Sequence, residues 1–146
     1  MKIHTIGFTK KNARKFFDLL IGSGAKRVVD VRLNNVSQLA GFAKKEDLKY
    51  FLEKICRIEY IHEPLLAPTQ LMLDEYKKNN GDWSVYEARF TDLMAKRKIE
   101  DNVPKDIISD GCLLCSEDTP HHCHRRIVAE YFRKHWPDSV DINHLT

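Results

Sequence analysis

Apolar positions along the chain fall into two rhythms, one of short unbroken runs and one of spacings three and four residues apart. Lys2 to Gly7 (KIHTIG) reads as a first strand stopped by its glycine. From Asn12 to Ile21 the residues Phe16, Phe17, Leu19 and Leu20 recur at helical spacing, and Gly22 and Gly24 close that helix. Arg27 to Val31 (RVVDV) is short, β-branched and largely apolar, as a strand buried on both faces should be. Strand, helix and strand at this spacing predict a right-handed βαβ unit.

Asn34 to Phe42 has no periodicity and reads as a polar loop. Leu48, Phe51, Leu52 and Ile55 predict a second amphipathic helix over Lys44–Cys56, and Ile58–Ile61 a short strand. Pro64 and Pro68 bracket an extended turn. Two more helices follow, Gln70–Asn79 and Trp83–Lys98, broken at Asn80-Gly81. Trp83, Tyr86, Phe90, Leu93 and Met94 share a face of the latter, where core packing is their expected role. Glu100–Asp110 reads as a charged connection into the apolar strand Cys112–Cys115. Thr119 and Pro120 predict the N-cap and first position of a last helix, which Pro137 stops. Val140–Leu145 alternates as a final strand. This order predicts one α/β domain over residues 1–146: a three-layer, mostly parallel, Rossmann-like sheet with helices on both faces. Arg27–Val31 and Cys112–Cys115 should be its central strands.

Composition adds exclusions more than it adds function. The net charge of +3 on 146 residues gives no strong electrostatic case for nucleic acid or an anionic membrane, although a local patch that contacts nucleic acid stays possible. No apolar run approaches the roughly 20 residues a membrane helix needs, so no membrane partner is expected. MKIHTIGF lacks the pattern of a signal peptide, so the four cysteines read as free thiols or ligands in a reducing cytoplasm.

Candidate chemistry concentrates in Gly111–Arg126 (GCLLCSEDTPHHCHRR), which holds three of four cysteines and three of seven histidines. In a parallel sheet ligands sit beyond the carboxyl ends of the strands. There the first strand would offer Thr5, Gly7 and Thr9, the second Asp30 and Arg32, and the Cys112–Cys115 strand Cys115 and Glu117. Cys123, His124 and Arg125 would face them from the last helix. If the strands are neighbours, these groups meet in one crevice. Cys115 is then the nucleophile candidate, His124 its acid or base, and Glu117 the group that orients the imidazole or binds substrate. Thr5, Asp30, Arg32, Cys123 and Arg125 would bind a small anionic or nucleotide-like ligand, with Arg126 turned away. Zinc on Cys112, Cys115, Cys123 and His124, with His121 and His122 in reserve, is the alternative. It is weakened because positions i and i+3 of a strand point to opposite faces. No cofactor or metal is expected.

Thr5-Ile6-Gly7, the run DVRLNNVSQLAGFAK from Asp30, Leu114-Cys115-x-Glu117 and Cys123-His124-Arg125 together resemble the family of domain of unknown function 488 over nearly the whole chain. The resemblance implies a compact α/β fold and a shared polar site at Asp30, Arg32, Cys115, Glu117, Cys123, His124 and Arg125, and it brings no reaction with it. Pro64-Leu65-Leu66-Ala67-Pro68 departs from the Pro-x-Leu-Gly-Gly of many members. Three readings therefore stand: a cysteine-dependent hydrolase or transferase, a nucleic-acid-associated binding module, and a zinc-stabilised interaction domain.

Overall fold

The computed structural model describes residues 1–35, 41–78 and 81–146. Five strands form one parallel sheet: β1 (Lys2–Gly7), β2 (Arg27–Asp30), β3 (Glu59–His62), β4 (Gly111–Cys115) and β5 (Asp141–Leu145), in the spatial order β3-β2-β4-β1-β5. The two apolar runs predicted to be central are so, and every residue of β4 is buried. Helices cover both faces, which gives the three-layer α/β architecture. They are α1 (Ala13–Ser23), α2 (Lys45–Phe51), α3 (Gln70–Lys78), α4 (Trp83–Arg97), α5 (Ile99–Asn102), α6 (Lys105–Ile108) and α7 (His124–His135).

The pleat of the sheet decides what each face carries. Val28, Cys112, Leu114 and Ile6 point toward α1 and α2, where they pack with Phe16, Phe17, Leu48 and Leu52. Ile3, Val29, Leu113 and Cys115 point the other way, into a core built with Phe90 and Met94 of α4 and Ile127, Val128 and Phe132 of α7. Trp83 and Leu93 pack at the margin of that core beside Tyr86 and Phe90, the packing role expected of them.

Local chemistry explains most boundaries. Asn12 caps α1 by accepting the Lys15 N–H at 2.8 Å, and Gly24 closes it in the left-handed region at φ 74°. Gly22 lies inside that helix. The helix expected over Lys44–Cys56 widens after α2 into a π-helical turn, Leu52–Cys56, which ends at Arg57 with φ 56°. Widening moves the next inward position from Ile55 to Cys56, so Ile55 is exposed where an apolar contact was expected. The connection Glu100–Asp110 is not irregular; it contains most of α5 and all of α6. Of the Asn34–Phe42 loop, residues 36–40 lie outside the described residues. Phe42 belongs to a 3₁₀ turn, Gly41–Ala43, and packs on Phe16 and Phe17.

The last helix starts later than expected. Pro120 lies in a turn, Cys123 occupies the cap position with extended backbone, and α7 begins at His124. Proline's fixed φ and missing N–H suit a bend that opens a turn as well as a helix start. Here the carbonyls of Glu117 and Asp118 are drawn inward by Arg125, so the chain must turn again before it can run down the sheet.

Candidate functional site

Cys115 ends the central strand, and two groups from the start of α7 close on its sulfur. Its Sγ lies 3.4 Å from His124 Nδ1, and the potential ligand atoms of Cys115, Cys123 and His124 all lie within 4.8 Å of one another. His124 Nε2 is 2.7 Å from the Val31 carbonyl oxygen, which can only accept. Nε2 therefore carries the proton, and in the neutral ring Nδ1 presents a lone pair to the sulfur. The Phe90 ring meets the imidazole edge-on at 5.3 Å. All three side chains are buried, Cys115 being 5% exposed.

The two thiols differ in acidity. A hydrogen bond from the Cys123 S–H lowers the Cys115 pKa from the ordinary thiol value, against the opposing effect of burial. The Arg125 charge and backbone hydrogen bonds from Ser116 and Glu117 act in the same direction as Cys123. Burial pushes Cys123 well up, and its bond to Cys115 adds to that. Cys112 and Cys56 are also raised, both chiefly by burial. Cys115 is thus the thiol the surroundings favour as thiolate.

The loop that shapes this corner is held from below. A Cβ at Gly7 would lie 1.5 Å from the Glu117 carbonyl oxygen, so the loop backbone rests directly on that glycine. The Thr9 N–H donates to the Ser116 carbonyl at 3.0 Å, and the buried Lys11 ammonium reaches Asp118 Oδ1 at 2.7 Å. Arg125, wholly enclosed, donates to the carbonyls of Glu117 (2.5 Å) and Asp118 (3.3 Å) and to Thr5 Oγ1 (3.3 Å). The Thr5 hydroxyl, accepting there, is free to donate to His144 Nδ1 at 2.7 Å. Burial first, and then the Arg125 charge, lower the His144 pKa, which suits a neutral ring accepting that proton.

A second cluster lies on the α1–α2 face. Arg32 grips Asp30 through two bonds, Nε–Oδ1 at 2.8 Å and Nη2–Oδ2 at 2.7 Å, and its own N–H also donates to Oδ1. Tyr60 donates to Asp30 Oδ2 at 2.5 Å and accepts from the Asn35 amide. His62 Nε2 approaches the Arg32 carbonyl at 2.9 Å. Burial raises the Tyr60 pKa, with the Asp30 hydrogen bond adding to it. Burial opposes the Arg32 charge, yet the Asp30 hydrogen bond and charge leave its pKa raised. The guanidinium lies 5.3 Å from the Phe8 ring centre, and its buried Nη1 has no partner among the described residues.

The predicted crevice is therefore two clusters rather than one. β2 and β4 are neighbours, as convergence required, but Asp30 pairs in register with Leu114 and not with Cys115. The pleat sends Asp30 to the α1–α2 side and Cys115 to the α4–α7 side. Val31 joins them: its N–H donates to the Leu114 carbonyl at 3.1 Å, and its carbonyl holds His124. Glu117 is exposed at the rim, and the orienting bond expected from it comes from that Val31 carbonyl. Arg125 shapes the loop with two of its N–H groups, which hold the Glu117 and Asp118 carbonyls. Thr5 serves as Arg125's acceptor, and Thr9 is exposed. Arg126 faces outward, paired with Glu130 at 2.9 Å and Glu87 at 3.2 Å. Tyr60 and Lys11 were missed; the period-two spacing of Tyr60 and His62 in β3 was the signal available for the first, and nothing marked Lys11.

Cys115, Cys123 and His124 are the described residues that could hold a metal together. Cys112 cannot join them, because it packs into the opposite core. A four-ligand structural zinc site on this stretch is thereby broken, and elemental analysis of the purified protein should find well under one zinc per chain. Stoichiometric zinc, lost in Cys123→Ser, would reverse that expectation.

A family model described as "Domain of unknown function DUF488" matches residues 12–132. Searches of curated proteins and of solved structures return no match.

Proposed function

Since the chain belongs to the DUF488 family, whose description carries no reaction, we propose from its own residues that it is a thiolate-dependent enzyme acting on a small anionic substrate. Cys115 is the nucleophile and His124 its proton partner. The observation that carries this reading is the surroundings of the Cys115 sulfur: an imidazole lone pair at 3.4 Å, a second thiol within 4.8 Å, and Arg125 nearby in charge. A thiol becomes a useful nucleophile when its proton has somewhere to go and the remaining charge is stabilised. His124 provides the first, with its far nitrogen locked to Val31 so that the near one stays available. Cys123, Arg125 and the backbone of Ser116 and Glu117 provide the second.

Substrate size follows from enclosure, because a cysteine residue only 5% exposed admits a small group and not a large one. Anionic character follows from the same positive surroundings that hold the thiolate. Asp30, Arg32 and Tyr60 stand behind the site and keep the Val31 peptide in place, and Arg32 Nη1 supplies a buried donor without a described partner.

Iodoacetamide labelling read by mass spectrometry tests the nucleophile. Cys115 should react faster than Cys56 or Cys112 in the native protein. Because its pKa lies below the ordinary thiol value, its labelling should persist on the acid side of that value, where the other cysteines are protonated and slow. Inorganic sulfate or phosphate should slow the reaction at Cys115 alone. If Cys115 is labelled only after unfolding, it is a packing residue and the proposal fails.

A further inference from the structure

Two buried thiols within reach of each other are more than one nucleophile needs. We infer that Cys123 is a resolving thiol, so that Cys115 and Cys123 act as a dithiol pair that reduces a small hydroperoxide and closes to an intramolecular disulfide. This rests on the reading of Cys115 as nucleophile and extends it by naming the co-substrate class.

Position makes the pair. Cys115 ends a rigid central strand, whereas Cys123 sits just before α7 in extended backbone, at the end of a turn and outside the helix. The Sγ atoms lie within 4.8 Å, and a disulfide requires about 2.05 Å between sulfurs. Rotation at Cys123 with a small shift of the turn can supply the difference without unwinding α7. Cys112, only three residues from Cys115, cannot compete because the sheet stands between them.

Proton placement fits this division of labour, with one thiol favoured as thiolate and the other held protonated as its hydrogen-bond donor. In the first step the Cys115 thiolate attacks one oxygen of the hydroperoxide; the S–O bond forms and the O–O bond breaks. The departing hydroxide or alkoxide takes the Cys123 proton, directly or through His124 Nδ1, and leaves as water or alcohol. In the second step the new Cys123 thiolate attacks the Cys115 sulfenic acid, the S–S bond forms, the S–O bond breaks, and the released hydroxide is protonated by solvent. Two thiols and one hydroperoxide become one disulfide, one water and one water or alcohol. A low-molecular-weight thiol or dithiol returns the pair to its reduced form by exchange. Hydrogen peroxide suits so enclosed a sulfur, and a bulky disulfide substrate does not.

The test uses the whole protein and hydrogen peroxide at one equivalent. Titratable thiols should fall from four to two, and peptide mapping should find Cys115 joined to Cys123, with dithiothreitol restoring both. In Cys123→Ser the sulfenic acid should persist at Cys115 and be trapped by dimedone, then be lost to over-oxidation with excess peroxide. If wild-type protein gives no Cys115–Cys123 bridge while Cys115 still labels with iodoacetamide, the dithiol inference fails and the nucleophile reading stands. If Cys115 neither labels nor oxidises, both fail. Bridges that include Cys56 or Cys112 in comparable yield would also overturn the inference, because they would show unfolding rather than a built pair.

Discussion

Asp30→Ala should destabilise the protein by about 3–5 kcal/mol, the range for removing one partner of a buried ion pair. The pair is fully enclosed: Asp30 is 0% and Arg32 5% exposed, joined by two bonds of 2.7 and 2.8 Å. Without the carboxylate, the guanidinium keeps its charge in a medium that cannot solvate it, and the Tyr60 hydroxyl loses its acceptor. The wild-type pair is not thereby a large net contributor, because both charges already bear the cost of leaving water. The double variant Asp30→Leu/Arg32→Met should therefore recover much of the single variant's loss. Urea unfolding of all three proteins measures this, and a loss below about 1 kcal/mol in Asp30→Ala would mean that water reaches Arg32. A second readout separates this from generic instability. Val31 lies between the paired residues and orients His124, so Asp30→Ala should also shift the pH profile of Cys115 labelling.

Gly7→Ala should be nearly as damaging for a different reason. Gly7 has no left-handed backbone to protect; the obstacle is space. An added Cβ would meet the Glu117 carbonyl oxygen at 1.5 Å, its carbon at 2.5 Å and Arg125 Nη1 at 2.9 Å. Two of these are backbone atoms, and no rotamer change relieves them. Overpacking a side-chain core costs about 1–3 kcal/mol, and displacing a backbone loop should reach at least the top of that range. The displaced loop would also surrender the Arg125 bonds to the Glu117 and Asp118 carbonyls. Thermal unfolding should show a lower Tm, and Cys115 should lose its advantage over Cys112 in alkylation. A Gly7→Ala protein with unchanged Tm would show that the 116–118 segment is not seated on β1.

The architecture was legible because it depends on runs and spacings. The strands RVVDV and GCLLC could be recognised as central from their unbroken apolar character, and α1 from the spacing of Phe16, Phe17, Leu19 and Leu20 and its closing Gly24. The site was legible in its members but not in its grouping. Strand alternation correctly separates Cys112 from Cys115. The same rule separates Asp30 from Cys115 only when the β2–β4 register is known, and register is a tertiary property. The start of α7 was missed because Pro120 satisfies a turn as well as a helix, and the choice was made by a side chain five residues further on. The His124 orienter was missed because a main-chain carbonyl has no letter in the sequence.

The strand order also bears on how the reactive corner comes into being. β1 and β2 are never hydrogen-bonded to each other; β4 separates them, and β1 pairs otherwise only with β5. During synthesis from the N-terminus, the β2–β3 ladder is the one part of this sheet that can form before residue 111 emerges. Each remaining ladder closes a loop of long sequence separation, which is slow and late. The insertion of β4 is then a keystone event: it joins β1 to the β2–β3 ladder and in the same act delivers Cys115 to its place. Until that moment the thiol has neither the imidazole nor the loop that activates it, so an unfinished chain carries an ordinary, protonated cysteine. Chemistry at this site is thereby timed by assembly.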